Sequence, residues 1–241
     1  MRVGILNLPF DNNYGGNLQR YALARVLWEM GHDVKHINLR NSYCLPFYKK
    51  PYCYAKRLLM KLLGSKSSIF LEQERKREDE RMEINAQKFY ERYVSHTRAV
   101  YGVKEIGQVC RENKFQAVVV GSDQVWRNGM VKGVLGLNNY MLGFIHDEHI
   151  KKIAYAVSLG TEQRLGSAQV QRYSKFYNKF SAVSVRESQS VALFDEYGWT
   201  EPRAQHVLDP VFLLKKEDYV TLTEKETVEH AAKKDRRHHS V

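Results

Sequence analysis

The 241-residue sequence has only three cysteines, Cys44, Cys53 and Cys110, and no two of them are spaced as CxxC. Three thiols cannot all pair with one another, so a disulfide framework is excluded and reduced thiols are expected. No uncharged apolar run approaches the length of about 18 residues that a membrane-spanning helix needs. Arg2 is followed by a short apolar run that ends at Asp11 and Asn12, which is not a signal-peptide pattern, so a cytoplasmic location is expected. Zinc-finger cysteine and histidine spacing, RNA-recognition aromatic motifs and a basic leucine zipper are all missing, which argues against a nucleic-acid partner. Internal repeats and low-complexity tracts are missing too. Acidic residues are scarce relative to basic ones, 27 Asp+Glu against 38 Lys+Arg, leaving a net charge of +11. That balance favours anionic partners such as phosphates, acidic sugars or lipid head groups.

What is present is a chain able to pack a core, with 43% hydrophobic residues of which many are aromatic. VGILNL (Val3 to Leu8) reads as a buried strand. Leu18, Tyr21, Ala22, Val26 and Leu27 follow at helical spacing from about Gly16 to Met30, and Gly31 fits a helix C-terminus. VKHINL (Val34 to Leu39) is a second strand, so the opening is a βαβ unit and implies a parallel sheet. Further on, AVVVGSDQVW (Ala117 to Trp126), KIAYAVSLG (Lys152 to Gly160), AVSVRES (Ala182 to Ser188) and HVLDPVFLL (His206 to Leu214) are apolar strands running into polar or turn-forming residues. Helices are predicted over about Tyr54–Leu63, Gly102–Asn113, Ser167–Asn178 and Ser188–Tyr197. One long charged helix is predicted from about Ser68 to Tyr93. The fold class is therefore α/β: a Rossmann-like parallel sheet with helices on both faces. The expected organisation is one such domain over 1–205, with a basic and charged helical insertion at about 41–100. A crossover strand and frayed tail are expected over 206–241.

Four strands end in polar clusters: Asp11-Asn12-Asn13, Gly121-Ser122-Asp123, Ser158-Leu159-Gly160 and Arg186-Glu187-Ser188. Ligands of open parallel sheets bind at the carboxyl ends of the strands, so the four clusters are expected on one edge.

The segments NYGGNLQRYAL, VVVGSDQVW, AYAVSLG, SVRES and VLDPVFLL, in that order, resemble the polysaccharide pyruvyl transferase family, over Met1 to about Leu214. The resemblance implies a fold like that of GT-B glycosyltransferases, of which this chain matches the N-terminal half. It implies transfer of the pyruvyl group of phosphoenolpyruvate to two hydroxyls of a sugar, giving a cyclic ketal and phosphate in surface-polysaccharide biosynthesis. Phosphoenolpyruvate is then the co-substrate, with no other cofactor and no metal, and a sugar or lipid-linked saccharide is the acceptor. Family chains continue into a second domain that supplies an arginine and a histidine. No segment here matches them, and His230, His238 and His239 lack the surrounding motif, so an incomplete enzyme is expected. Two other readings stay open: a GT-B-type glycosyltransferase using a nucleotide sugar, and an inactive glycan-binding module.

The implied chemistry asks for cations and N–H donors around phosphoenolpyruvate, an acid for its methylene carbon and a base for the sugar hydroxyl. Arg186 is the first candidate, because a guanidinium fork suits a carboxylate or phosphate and SVRES matches the family's donor-contacting arginine-plus-acid motif. Its competing role is a salt bridge to Glu187 or Asp209. Asp123 is the candidate base or charge stabiliser, with helix capping as its alternative. Gly15 and Gly16 either let the backbone approach an anion at a helix N-terminus or simply make a turn. Asn12, Asn13, Tyr14, Gln19, Ser122 and Ser158 are candidates for the acceptor side, and Asn is also a common helix cap. Trp126 either stacks on a sugar or packs in the core. His146 and His149 could share a face as metal ligands, but no third or fourth ligand is apparent, so a solvated turn is expected. Asp209-Pro210 is expected to shape the crossover.

Lys49, Lys50, Lys56, Arg57, Lys61 and Lys66 fall in a stretch with no acid among them. The basic, apolar-aromatic segment Phe47–Lys66 either lies on the inner face of an anionic membrane or packs an apolar face on the sheet.

Overall fold

The computed structural model describes residues 1–43, 45, 47–64, 68–132, 134–160 and 164–223. The expectations placed on Cys44, Lys66 and the tail from 224 onward, with its three histidines, lie outside these residues.

Six strands make one sheet: β1 (Arg2–Leu6), β2 (Asp33–His36), β3 (Ala117–Gly121), β4 (Lys151–Val157), β5 (Ala182–Val185) and β6 (Gln205–His206). Every pairing is parallel and the spatial order is β2-β1-β3-β4-β5-β6. Between β1 and β3 the connections leave in opposite directions, which makes the crevice above them the topological switch point of the sheet.

Alternation along the strands feeds two cores. Val3, Ile5, Ala117 and Val119 face Leu23 of α1 (Tyr14–Glu29), while Leu6, Val118 and Val120 face the opposite side. That second core is the larger. Its cover includes Ile106, Val109, Tyr173, Tyr177 and Phe194, all on helices that follow α1. The helices after α1 are α2 (Lys50–Leu62), α3 (Leu71–Met82), α4 (Ile84–Tyr93), α5 (Val103–Glu112), α6 (Asn128–Val131), α7 (Leu137–Tyr140), α8 (Ser167–Tyr177) and α9 (Gln189–Glu196). The Rossmann-like α/β arrangement expected from the strand and helix periodicities is the one observed. Cys53 and Cys110 are free, and burial pushes the Cys110 thiol up to about 12, so it packs as a small apolar side chain.

Three segments differ from expectation. The charged stretch before Tyr93 is two helices, α3 and α4, meeting at Glu83. α3 buries no residue, whereas α4 buries Ala86 and Tyr90 beside Phe10 and Tyr21, so packing fixes the direction of α4 alone. The last strand covers only Gln205–His206 and starts one residue before the expected His206; the turn expected at Asp209-Pro210 follows it, where Pro210 has no N–H to give the ladder and Asp209 caps a 3-10 turn over Pro210–Leu213. The short helices α6 and α7 had no periodic signal in four residues each.

α1 begins at Tyr14, two residues before the expected start at about Gly16, and takes in both glycines. Asn13 is its N-cap, with Oδ1 accepting the Gly16 N–H at 3.2 Å. Gly15 and Gly16 therefore form the first helical turn, and neither adopts positive φ. At the other end Gly31 has φ +84°, the left-handed conformation that ends a helix. Replacing Asn13 with Ala is expected to cost about 1 kcal/mol by loss of this cap. In a chain of this size that lowers the thermal midpoint by about 2–4 °C, measurable by calorimetry.

Candidate active site

The chain leaves every strand at the same edge, and the polar residues that follow β3, β4, β5 and β6 meet around one guanidinium. Arg186 follows β5 and Glu187 is its neighbour. Nη1 of Arg186 donates to Asp209 Oδ2 at 3.1 Å and Nε donates to Glu187 Oε1 at 3.3 Å. Nη2 stands 4.0 Å from Asp123 Oδ1. Burial disfavours the Arg186 charge, but its bonds to Asp209 and Glu187 outweigh burial and raise its pKa, so it stays protonated. With 27% of its side chain exposed, the fork is still reachable from solvent.

The partners of Arg186 are themselves held. Ser158 Oγ, after β4, donates to Glu187 Oε1 at 2.7 Å and accepts the Gly160 N–H at 3.1 Å. Gln19, from α1, donates to Asp209 Oδ2 at 2.5 Å, while Asp209 Oδ1 accepts the Val211 N–H. Asp123 holds φ +69°, uncommon for a residue with a side chain, and its Oδ1 accepts the adjacent Gln124 N–H at 2.8 Å. β4 carries a register shift between Ala154 and Val157, with Ala156 at φ +49°, directly before Ser158. Bulges of this kind re-aim a strand end beside a site. Two polar atoms here, Ser122 Oγ and Glu187 Oε2, are buried without a hydrogen-bond partner among the described residues. Such orphans are uncommon in folded proteins.

A second layer supports the edge. Arg20 of α1 is 3% exposed and donates to the carbonyls of Leu8 and Pro9 and to Asn17 Oδ1, pinning the loop after β1. Burial lowers the Arg20 pKa, opposed by the nearby charges of Asp11 and Asp123. Asn7 at the end of β1 donates to the Gly121 carbonyl, so its Oδ1 is left to accept from His36 Nε2 at 2.9 Å. Nδ1 of His36 then accepts from the Tyr90 hydroxyl at 2.6 Å. Burial holds His36 well below its ordinary pKa, and the chain Tyr90–His36–Asn7–Gly121 runs as a neutral relay from α4 to the end of β3.

Of the residues singled out from sequence, Arg186, Asp123, Ser158 and Gln19 belong to this cluster, and Ser122 is buried next to Asp123. The salt bridges expected as the competing role of Arg186 are present, and the residue stands at the strand-end edge. Asn13 is engaged as a cap, and Asn12 and Tyr14 stand exposed before and at the start of α1, outside the Arg186 cluster. Trp126 is corrected: it is 2% exposed, its indole N–H donates to the Tyr140 carbonyl, and it packs among Tyr177, Phe180 and Phe194, where no sugar reaches it. No group of three or more metal-ligating side chains occurs among the described residues. Glu187 was expected at this edge as part of the Arg186-Glu187-Ser188 cluster, whereas Asp209 was read from sequence only as a salt-bridge partner or crossover residue. Applying the strand-end rule to the last strand as well would have found Asp209.

No helix among the described residues is long and apolar enough to cross a membrane. A search of curated proteins and a search of solved structures returned no match. A family model described as "Polysaccharide pyruvyl transferase" matches residues 13–238, a span that includes every strand-end cluster from Asn13 onward. The chain belongs to the polysaccharide pyruvyl transferase family.

Proposed function

We propose that the edge around Arg186 binds phosphoenolpyruvate and serves transfer of its pyruvyl group to a pair of sugar hydroxyls, with release of phosphate. The observation that carries this reading is the Arg186 guanidinium, half-exposed at the mouth of the sheet and ringed by Asp123, Glu187 and Asp209. A fork of this kind grips a carboxylate or phosphate through two parallel bonds. In the transfer, both hydroxyl oxygens bond to C2 of the enol and the C2–O bond to phosphate breaks. One hydroxyl proton's equivalent goes to the methylene carbon and the other leaves with phosphate. Positive charge grows at C2 on the way, and three carboxylates beside it stabilise that charge. In this reading Asp123, partly exposed, takes the sugar hydroxyl proton, and the buried Ser122 Oγ bonds a substrate oxygen. Arg127, whose side chain lies against Gly160, supplies a second cation at this edge. Phosphoenolpyruvate is the donor in this reading and a surface glycan with a suitably placed diol is the acceptor.

Isothermal titration with phosphoenolpyruvate and with a uridine-diphosphate sugar, followed by phosphate release in the presence of diol-bearing glycans, tests the reading. Saturable phosphoenolpyruvate binding that weakens in Arg186→Gln supports it. Binding of the nucleotide sugar with indifference to phosphoenolpyruvate assigns the edge to glycosyl transfer instead. Glycan binding with neither donor bound assigns a non-catalytic module.

A further inference from the structure

The helix α2 is amphipathic but mounted with its apolar face outward. At helical spacing Tyr52, Ala55, Leu59 and Leu62 make one stripe, flanked by Leu58 and Leu63. The half-buried residues of the helix are Cys53, Tyr54 and Arg57, on the opposite side. That inner side is fastened to the start of α3. Both terminal nitrogens of Arg57 bond Glu72 at 2.6 and 2.7 Å, and the Tyr54 ring packs on Phe70. The outward stripe is left in water, with Leu59, Leu62 and Leu63 exposed by 58%, 77% and 74%. Just before the helix, Phe47 and Tyr48 are exposed by 83% and 66%. Packing against the sheet, the alternative raised by the sequence, is therefore not what this helix does: α2 buries no residue.

A continuous apolar surface of this kind marks a contact with something. Charge decides what. Lys56 flanks the stripe, Lys49 and Lys50 stand at the start of the helix, Lys61 lies toward its other side, and no acidic residue occurs between Asp33 and Glu72. A helix is about 10 Å across, so all four ammonium groups act within roughly one Debye length of a surface touching the stripe. A second copy of the chain seated on the stripe would bring two lysine sets together on proteins that each carry +11. An anionic bilayer complements both features at once: its interface takes the leucines and aromatic rings, and its charged head groups attract the lysines of the same short segment. We infer that α2 and the preceding Phe47–Lys49 turn form a membrane-surface anchor, lying flat on anionic lipid and holding the sheet beside the bilayer. This inference stands on the insertion alone and does not depend on the chemistry at Arg186.

The test is co-sedimentation of the full chain with phosphatidylcholine vesicles containing or lacking phosphatidylglycerol. Binding is expected only with the anionic lipid and falls in high salt. Leu59→Glu with Leu62→Glu is expected to weaken it more than about tenfold, through loss of apolar insertion. Lys50→Glu, Lys56→Glu and Lys61→Glu together are expected to do the same through charge. Since α2 buries no side chain, these variants are expected to keep the parent's thermal midpoint, which is measured in parallel. Equal sedimentation of parent and variants, or none with anionic vesicles, overturns the inference. So does a self-association seen by light scattering that the leucine variant abolishes, which would assign the stripe to a second copy.

Discussion

Arg186→Gln is expected to remove phosphoenolpyruvate turnover by about 100-fold or more while leaving the fold assembled at mildly acidic pH. The residue is the common partner of Asp209, Glu187 and Asp123, so its loss does two things. On the proposed function it takes away the bidentate donor for the anionic groups of phosphoenolpyruvate. It also leaves three carboxylates facing one another without a cation. Like charges held together favour uptake of a proton. The folded variant then keeps a proton that the unfolded chain has released. The folded state binds more protons than the unfolded state, so stability falls as pH rises through the carboxylate range and stays low above it. The parent, with its cation in place, lacks this penalty. Unfolding midpoints of the two proteins at pH 5 and pH 8 therefore diverge at the higher pH. Arg186→Lys separates the roles: it keeps the charge and so most of the stability, but loses the fork and so most of the donor affinity. Equal donor affinity in parent, Lys and Gln variants would sink the assignment of Arg186 to the donor.

Much of this edge was legible before any coordinates, because the rule involved is local. A β-branched strand such as AVVVG or AVSV ends where polar residues begin, and in a parallel sheet all such ends point one way. That placed Asp123, Ser158 and Arg186 together. The NYGG stretch was harder. Asn13 serves equally as cap or ligand in sequence, and only its bond to the Gly16 N–H shows it as a cap. Trp126 was ambiguous for the same reason, since an aromatic after a strand end fits a cleft or a core. What sequence did not offer was the second layer. Arg20 sits one turn into α1 and Tyr90 lies in the charged insertion. Their burial beside Phe10 and His36 depends on α4 folding back against the end of β1, a contact between segments some seventy to eighty residues apart. The outward face of α2 was invisible for a related reason. Periodicity reveals that a helix has an apolar side, whereas its orientation depends on the Arg57–Glu72 pair that holds the other side down.

Gly121→Ala is the substitution expected to cost the fold most for the fewest atoms. Gly121 is the last residue of β3 and pairs with Tyr155 of β4. A Cβ there would lie 2.3 Å from the Tyr155 carbonyl oxygen and 3.1 Å from its carbon, both backbone atoms in the middle of the sheet. No rotamer change relieves such a contact, so either the two strands separate or the end of β3 rotates away. Separation strains the bond from Ser122 N–H to the same Tyr155 oxygen, now 3.0 Å. Rotation pulls the Gly121 carbonyl off Asn7 and opens the relay through His36 to Tyr90. Overpacking of this type costs about 3 kcal/mol, equivalent here to a midpoint lowered by about 6–12 °C. The same displacement moves Ser122 and Asp123, the next two residues, relative to Arg186. A shift near 1 Å in a reacting group is enough to slow chemistry by about 100-fold. Gly102→Ala is the control: Gly102 is extended, and an added Cβ meets nothing within 4 Å. As a cap position it is expected to lose less than about 1 kcal/mol and to leave turnover unchanged. If Gly121→Ala unfolded no earlier than Gly102→Ala, the end of β3 would be softer than its packing implies. The fixed placement of Asp123 opposite Arg186 would then have to come from β4 and β5 alone.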